Sequence, residues 1–457
     1  MYISVKQMKL LINLVLCQCL SLPLAIIHYK FLAVDKVSRN VRLVFPLTVG
    51  LLFCYFCYGN AMKHLLSNVG ICLILLHCAP AKHVHQYIFL FSMGYLVFIH
   101  WYRWYILTSY SIDVTGPMMV LVQKVTMLAF SLHDGKVKRP EELNAVQKRE
   151  ALVSPPSFLE YMSYMFSFQT VLTGPMFIYK DYLSWISNAN TGRNGKFEGS
   201  FHPSMIAEQR YLQLDWFRWS LLFFFVIFLQ RVQYYYAWTV GLGFVSDFPG
   251  LNKLKLNADA ICNASGFGFN GYDEFGKPKW DLVSNVNWFK VEMALSFKET
   301  LDAWNCCTMY WLRRVAYERT PKRYRTVATY LLSAIWHGFF FGYYLTFLTG
   351  ALVTVAARTV RRCLRFRFQG SASLRFTYDV LTFLTTKIVL AYATFPFVTM
   401  HLNPGLFIYR RLYFFIHILA LLAIFVLPIV IPPEGESKRV TLTNENSGTD
   451  GKEIKKD

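Results

Sequence analysis

Carboxylates are scarce in this chain. Its 457 residues hold 27 Asp and Glu against 47 Lys and Arg, a formal charge of +20. Charged residues of either sign make up only 16%, beside a hydrophobic content of 54%. That balance excludes a string of ordinary soluble domains, whatever the length would suggest. No G-x-S-x-G occurs, so a nucleophile-elbow serine hydrolase is excluded. No internal repeat is visible, and no repeated pair of broken apolar helices of the transporter kind. No small-x-small cleavage site follows the lysine-led opening "MYISVKQMKLLINLVLCQCLSLPLAII", so it is expected to stay as a first helix. Cys54 and Cys57 of "FCYFC" have no second pair nearby. With most of the ten cysteines in apolar segments, they read as buried thiols rather than zinc or redox centres.

What the chain has instead is long apolar runs. They lie at residues 8–28, 41–58, 87–108, 217–236, 326–357, 376–399 and 412–431, with shorter ones at 65–78, 117–132 and 158–178. Runs of about 18 or more apolar residues are long enough to cross a bilayer, which predicts roughly eight to eleven spans. The fold class is therefore all-α and polytopic: one membrane domain over residues 1–431. The polar, charged stretch 432–457 is predicted to be a disordered tail.

The basic residues lie in short loops between apolar runs. That is the pattern of the positive-inside rule and of an anionic membrane surface, and it argues against nucleic acid as partner. Two loops stand out, "RRVAYERTPKRYR" at 313–325 and "RTVRRCLRFR" at 358–367. They flank the apolar run containing His337. A simple span would put one of them on the wrong side, so either the run bends back, at Gly338, Gly342 or Gly350, or the second loop is an exception. "GFGFNG" at 266–271 fits G-x-G-x-x-G, but no apolar β-run leads into it and a turn-rich loop is expected.

His337 is the first candidate for chemistry. An ionisable group inside an apolar run is either functional or satisfied by a neighbouring carbonyl. Ser333, one helical turn earlier, is placed to hydrogen-bond it, and Ala334, Gly338 and Gly342 would form a small-residue stripe on a continuous helix. The second candidate lies in residues 291–312, where Glu292, Ser296, Glu299, Asp302 and Asn305 make one polar face of an amphipathic helix. A solvated face explains that stripe as well as a functional one does. Taken together, an imidazole that can act as general base and a carboxamide that can donate to an oxyanion suggest acyl transfer.

"AWNCCTMYWLRRVAYERTP" followed by "LLSAIWHGFFFGYYLTFLTG" resembles the membrane-bound O-acyltransferases, which pair an Asn in a W-N context with a His in W-H-G. "DVTGPMMVLVQKVTMLAFSLHDG", "YYYAWT", "ASGFGFNGYDEFGKPKWDLVSNVN" and "FTYDVLTFLTTKIVLAYATFPFV" extend the likeness along most of the chain. They are similar to the lysophospholipid branch, and within it to the lysophosphatidylethanolamine and lysophosphatidylserine acyltransferases. The resemblance implies a central chamber enclosed by helices, His337 and Asn305 as catalytic residues, and a multi-pass enzyme of the endoplasmic reticulum membrane. It implies acyl-CoA and a lysophospholipid as substrates, with no cofactor or metal. Ser333, Trp336, Arg313, Arg314, Lys322 and Arg323 are expected to bind substrate, the basic ones through the phosphates of acyl-CoA. The alternatives are a protein O-acyltransferase of the same family and a transporter.

Overall fold

The structure is a computed structural model, and it describes residues 5–106, 114–187, 258–276 and 278–433. The apolar run at 217–236, the "YYYAWT" segment, the polar stretch 188–204 and the tail beyond 433 lie outside the described residues. Helices dominate, and among the described residues no strand forms beyond one isolated bridge between Tyr272 and Pro278.

The amino-terminal half is built from α1 (Val5–Phe31), α2 (Arg39–Tyr58), α3 (Met62–Cys78), α4 (Val84–Tyr105) and α5 (Thr115–Val137). Three short helices follow: α6 (Ala145–Glu150), α7 (Phe158–Phe166) and α8 (Tyr179–Ile186). Five helical stretches are long and apolar enough to cross a membrane among the described residues, or six if one bent pair counts as a span. Outward faces among them carry bare apolar side chains such as Leu52, Ile74 and Phe376. Such residues suit lipid, where helices satisfy their own backbone.

One span is different. α5 is buried on nearly every side, from Met118 to Asp134. It nevertheless carries Gln123, Lys124, Thr126, His133 and Asp134. A buried polar group is costly unless bonded, and these have partners. The Lys124 ammonium is fully enclosed and donates to the carbonyls of Tyr164 and Met165 and to the Thr170 hydroxyl. α5 is thus an internal post whose polar side chains pin the surrounding segments in register.

The expected run at 158–178 is no span. Ser157 and Glu160 form a reciprocal cap that starts α7, which stops at Phe166. The amphipathic helix expected over 291–312 is also broken. It becomes α9 (Trp288–Met293), α10 (Phe297–Trp304) and α11 (Cys306–Leu312). The polar residues of the stripe are what divide it: the side chains of Ser296 and Asn305 accept the Glu299 and Thr308 backbone N–H groups and cap α10 and α11.

The run at 326–357 bends back on itself. α12 (Arg325–His337) ends at Gly338, whose φ of +124° suits only glycine, and α13 (Phe341–Leu364) returns antiparallel. Tyr330 bonds Thr354, and Arg358 donates to the Thr326 hydroxyl at 2.7 Å. Both basic loops therefore lie at the same end of the hairpin, which resolves their conflict with the charge rule. With 13 residues, α12 is only about 20 Å long, short of a bilayer's hydrocarbon core. The break also removes the expected stripe, because Ala334 and Gly342 now sit on different helices. Gly342 instead meets α14 (Ala372–Thr399), where a Cβ would come within 2.1 Å of the Pro396 carbonyl oxygen. α15 (Leu402–Arg411) and α16 (Phe415–Phe425) complete the body as a pair bent by 72°.

The "GFGFNG" loop is the turn-rich element expected. Gly266 and Gly271 take positive φ, and Phe267 and Phe269 are buried.

Candidate active site

His337 is the last residue of α12, at the tip of the hairpin. Its Nδ1–H donates to the Ser333 backbone carbonyl at 2.7 Å. Ser333 is the expected partner, but through its backbone: the carbonyl one turn back has a second lone pair beside its helical bond and accepts from the ring. This fixes the tautomer: with the proton on Nδ1, the neutral ring carries its lone pair on Nε2. Rings enclose the imidazole, with centroids of Trp336, Phe347 and Phe397 at 4.7, 5.0 and 5.3 Å.

Asn305 sits at the start of α11. Its Oδ1 accepts from the Thr308 N–H at 3.3 Å, which orients the carboxamide and leaves its NH2 as the donor end. A second asparagine steadies the turn. The Asn285 carbonyl accepts from Cys306 N–H at 2.8 Å, and Asn285 N–H in turn donates to Asp259. Burial pushes the Cys306 thiol up from its ordinary range, opposite to what an activated thiolate nucleophile needs.

α5 moors the helices that carry them. The Trp336 indole N–H donates to the Met119 carbonyl at 3.1 Å, Gln123 donates to the Thr308 hydroxyl at 3.0 Å, and the Trp311 indole donates to Thr126 at 2.9 Å. Residues 119, 123 and 126 share one face of a helix. The residue beside His337 and the residue one turn after Asn305 are therefore moored about 6 Å apart along α5. Trp311 and Trp336 close the joint, with ring centroids 5.7 Å apart.

The remaining expected residues are placed differently. Trp336 is buried and committed to Met119 and Trp311, so it is a mooring. Arg314 is buried inside an ion network, 3.0 Å from Glu150, 3.1 Å from Glu318 and 3.6 Å from Asp134. Arg319 adds a two-pronged pair to Asp134. The predicted phosphate contact of Arg314 gives way to this structural role, because carboxylates already surround its guanidinium. Arg313, Lys322 and Arg323 are exposed on the same loop, Arg313 within 3.3 Å of Glu318.

Two further histidines, one buried and one half-buried, were not singled out from the sequence. His100 of α4 donates from Nε2 to the Trp336 carbonyl at 3.1 Å, and its ring lies against Gly338. His417 of α16 bonds the hydroxyls of Tyr392 and Thr349 at 2.9 and 3.2 Å, tying α13, α14 and α16. Each sits in an apolar run, the signal that singled out His337, but without a neighbouring motif.

Known sequences place the chain in a family. The model of the membrane-bound O-acyltransferase family matches residues 99–395, which take in both candidate residues. This chain belongs to the membrane-bound O-acyltransferase family. It is 38% identical to lysophospholipid acyltransferase 6 of Drosophila melanogaster, over 95% of this chain and 63% of that protein. It is 38% identical to membrane-bound glycerophospholipid O-acyltransferase 1 of Mus musculus, over 92% of this chain and 89% of the relative. With membrane-bound glycerophospholipid O-acyltransferase 2 of Homo sapiens it shares 36%, over 92% and 85%. The chain thus spans less than two thirds of the fly relative and most of the mammalian ones.

Proposed function

We propose that this membrane-bound O-acyltransferase moves a fatty acyl group from acyl-CoA to the free glycerol hydroxyl of a lysophospholipid, lysophosphatidylethanolamine or lysophosphatidylserine by its resemblance. The observation that supports the reading is the mooring on one face of α5 of α11 and α12, the helices that carry the Asn305 carboxamide and the tautomer-fixed imidazole of His337.

In this mechanism His337 Nε2 takes the proton of the glycerol hydroxyl as the oxygen attacks the thioester carbonyl. The Asn305 NH2 donates to the oxyanion that forms. The C–S bond then breaks, the thiolate leaves as CoA, and the imidazolium returns its proton to the sulfur. One C–O bond replaces one C–S bond with no change of oxidation state, so a thioester donor needs no redox cofactor. General-base help of this kind contributes about 10²–10⁴-fold, and one oxyanion donor about 10²–10³-fold.

Names of relatives that acylate lysophospholipids and glycerophospholipids support the acceptor class. The endoplasmic reticulum membrane is the location we propose, since phospholipid acceptors and acyl-CoA meet there. The experiment is a purified-enzyme assay crossing a panel of lysophospholipids with saturated and unsaturated acyl-CoAs, with acceptor peptides as a further arm. Ester product with a lysophospholipid and none in His337→Ala is the expected result. Acylation of peptides alone would move the protein to the protein-acylating side of the family.

A further inference from the structure

The two basic loops differ in their pairing. In the 313–325 loop, Arg314 and Arg319 are held by Asp134, Glu150 and Glu318. In the other, Arg358, Arg361, Arg362 and Arg365 stand within eight residues of one helix end, and no described carboxylate forms an ion pair with any of them. Arg358 donates to Thr326; the other three converge with it on a cavity of about 980 Å³, walled on its apolar side by Val355 and Phe366.

The carboxyl end of α13 attracts cations, and short loops on one membrane side collect them. Those effects account for positive charge there. They do not account for four guanidiniums lining one concavity, where mutual repulsion opposes their gathering unless an anion sits among them. Arg361 also lines a second cavity, of about 440 Å³, which reaches Ala303 and Cys306 beside Asn305. Arg361 is thus common to both cavities, the second of which is also lined by Glu299 and Asp302.

We infer that Arg358, Arg361, Arg362 and Arg365 form the binding site for a ligand bearing several phosphates, which is the nucleotide end of acyl-CoA on the function proposed above. A guanidinium offers a fork of donors that matches phosphate oxygens, and the apolar wall suits a base. The site replaces the 313–325 loop as the anchor of the donor. An anionic lipid headgroup is the other source of the same phosphate chemistry, since the cavity opens on a membrane protein's basic face.

The test uses the full chain in nanodiscs, with the double variant Arg361→Gln/Arg365→Gln and the charge-keeping double variant Arg361→Lys/Arg365→Lys. The probe is adenosine 3′,5′-bisphosphate, which carries the phosphates without an acyl chain. In neutral-lipid nanodiscs the Gln variant is expected to bind it about 10-fold more weakly, with partial recovery in the Lys variant, as suits exposed charge-assisted contacts. The KM for acyl-CoA should rise by a similar factor, about 10-fold, while kcat and the KM for lysophospholipid move by less than about 2-fold. A difference between wild type and Gln variant that arises only in nanodiscs containing phosphatidic acid or phosphatidylinositol keeps the phosphate site and assigns it to a lipid headgroup. Equal probe affinity and equal KM in both membranes overturn the site. Probe binding through the arginines by a wild-type protein that acylates no lysophospholipid would sink the proposed function and leave the site standing.

Discussion

The imidazole of His337 is bonded through Nδ1 to the main chain of Ser333, four residues back on the same short helix, at 2.7 Å. A backbone acceptor cannot be removed by changing the Ser333 side chain. Ser333→Ala is therefore expected to keep acyltransfer within about 3-fold of wild type, the cost of a small change in a buried position. His337→Ala loses the proposed base and should fall by about 10²-fold or more. Both are read as initial rates of ester formation by purified protein, with thermal stability as the folding control. A large loss in Ser333→Ala would show that the hydroxyl, and not the carbonyl, serves the site.

Asn305 has two separable duties. Its Oδ1 caps α11, and its NH2 is the proposed oxyanion donor. Asn305→Ala removes both, with about 0.5–2 kcal/mol of stability and at least about 10-fold of activity at stake. Asn305→Ser keeps the cap, since serine is a good N-cap residue, but offers a shorter donor. Its melting temperature should match wild type while kcat still falls. If both variants lose stability and rate in parallel, Asn305 acts through the fold alone.

Much of this was legible in the sequence. The helical class followed from the apolar runs, and His337 and Asn305 were singled out as candidates by the likeness of their flanking residues. The bend at Gly338 was foreseen as one of two options, because two basic loops cannot lie on opposite sides without breaking the charge pattern. What escaped was set by tertiary partners. Ser296 and Asn305 fit a helical stripe equally well as solvated residues or as caps, and only their acceptor geometry distinguishes the two. Arg314 looked like any exposed cation of its loop. Its burial depends on Asp134 and Glu150, which lie more than 160 residues earlier and which no local pattern connects to it. His100 is equally distant, meeting α12 across 236 positions of chain.

The buried network makes Arg314 a stability residue. Arg314→Ala takes the guanidinium from Glu150, which has almost no solvent contact, and leaves Asp134 to Arg319 and Glu318 to Arg313. Breaking a buried pair from one side costs about 3–5 kcal/mol. The variant should unfold at clearly lower temperature, and its residual folded fraction should keep the wild-type KM for acyl-CoA. An Arg314→Ala protein of normal stability with a raised KM would return this residue to the ligand role first expected of it.

Gly338 and His100 form an interlock at the hairpin tip. Gly338 holds a φ of +124°, and a Cβ there would come within 3.1 Å of the His100 ring. Gly338→Ala thus suffers twice: a strained backbone costing about 1–3 kcal/mol, and a contact that displaces the ring bonded to the Trp336 carbonyl. Because Trp336 precedes His337 directly, the displacement reaches the imidazole. The variant is expected to lose kcat more than it loses affinity for either substrate. His100→Ala removes the Nε2–H donor to that carbonyl while relieving the contact, so it should lower kcat by about 3–10-fold, the scale of one net hydrogen bond at a positioned group. His100→Gln supplies a side-chain N–H of similar reach and should recover part of that loss. If His100→Ala and Gly338→Ala both turn over at the wild-type rate, the tip is not held by this contact and the placement of His337 depends on α12 and its mooring to α5 alone.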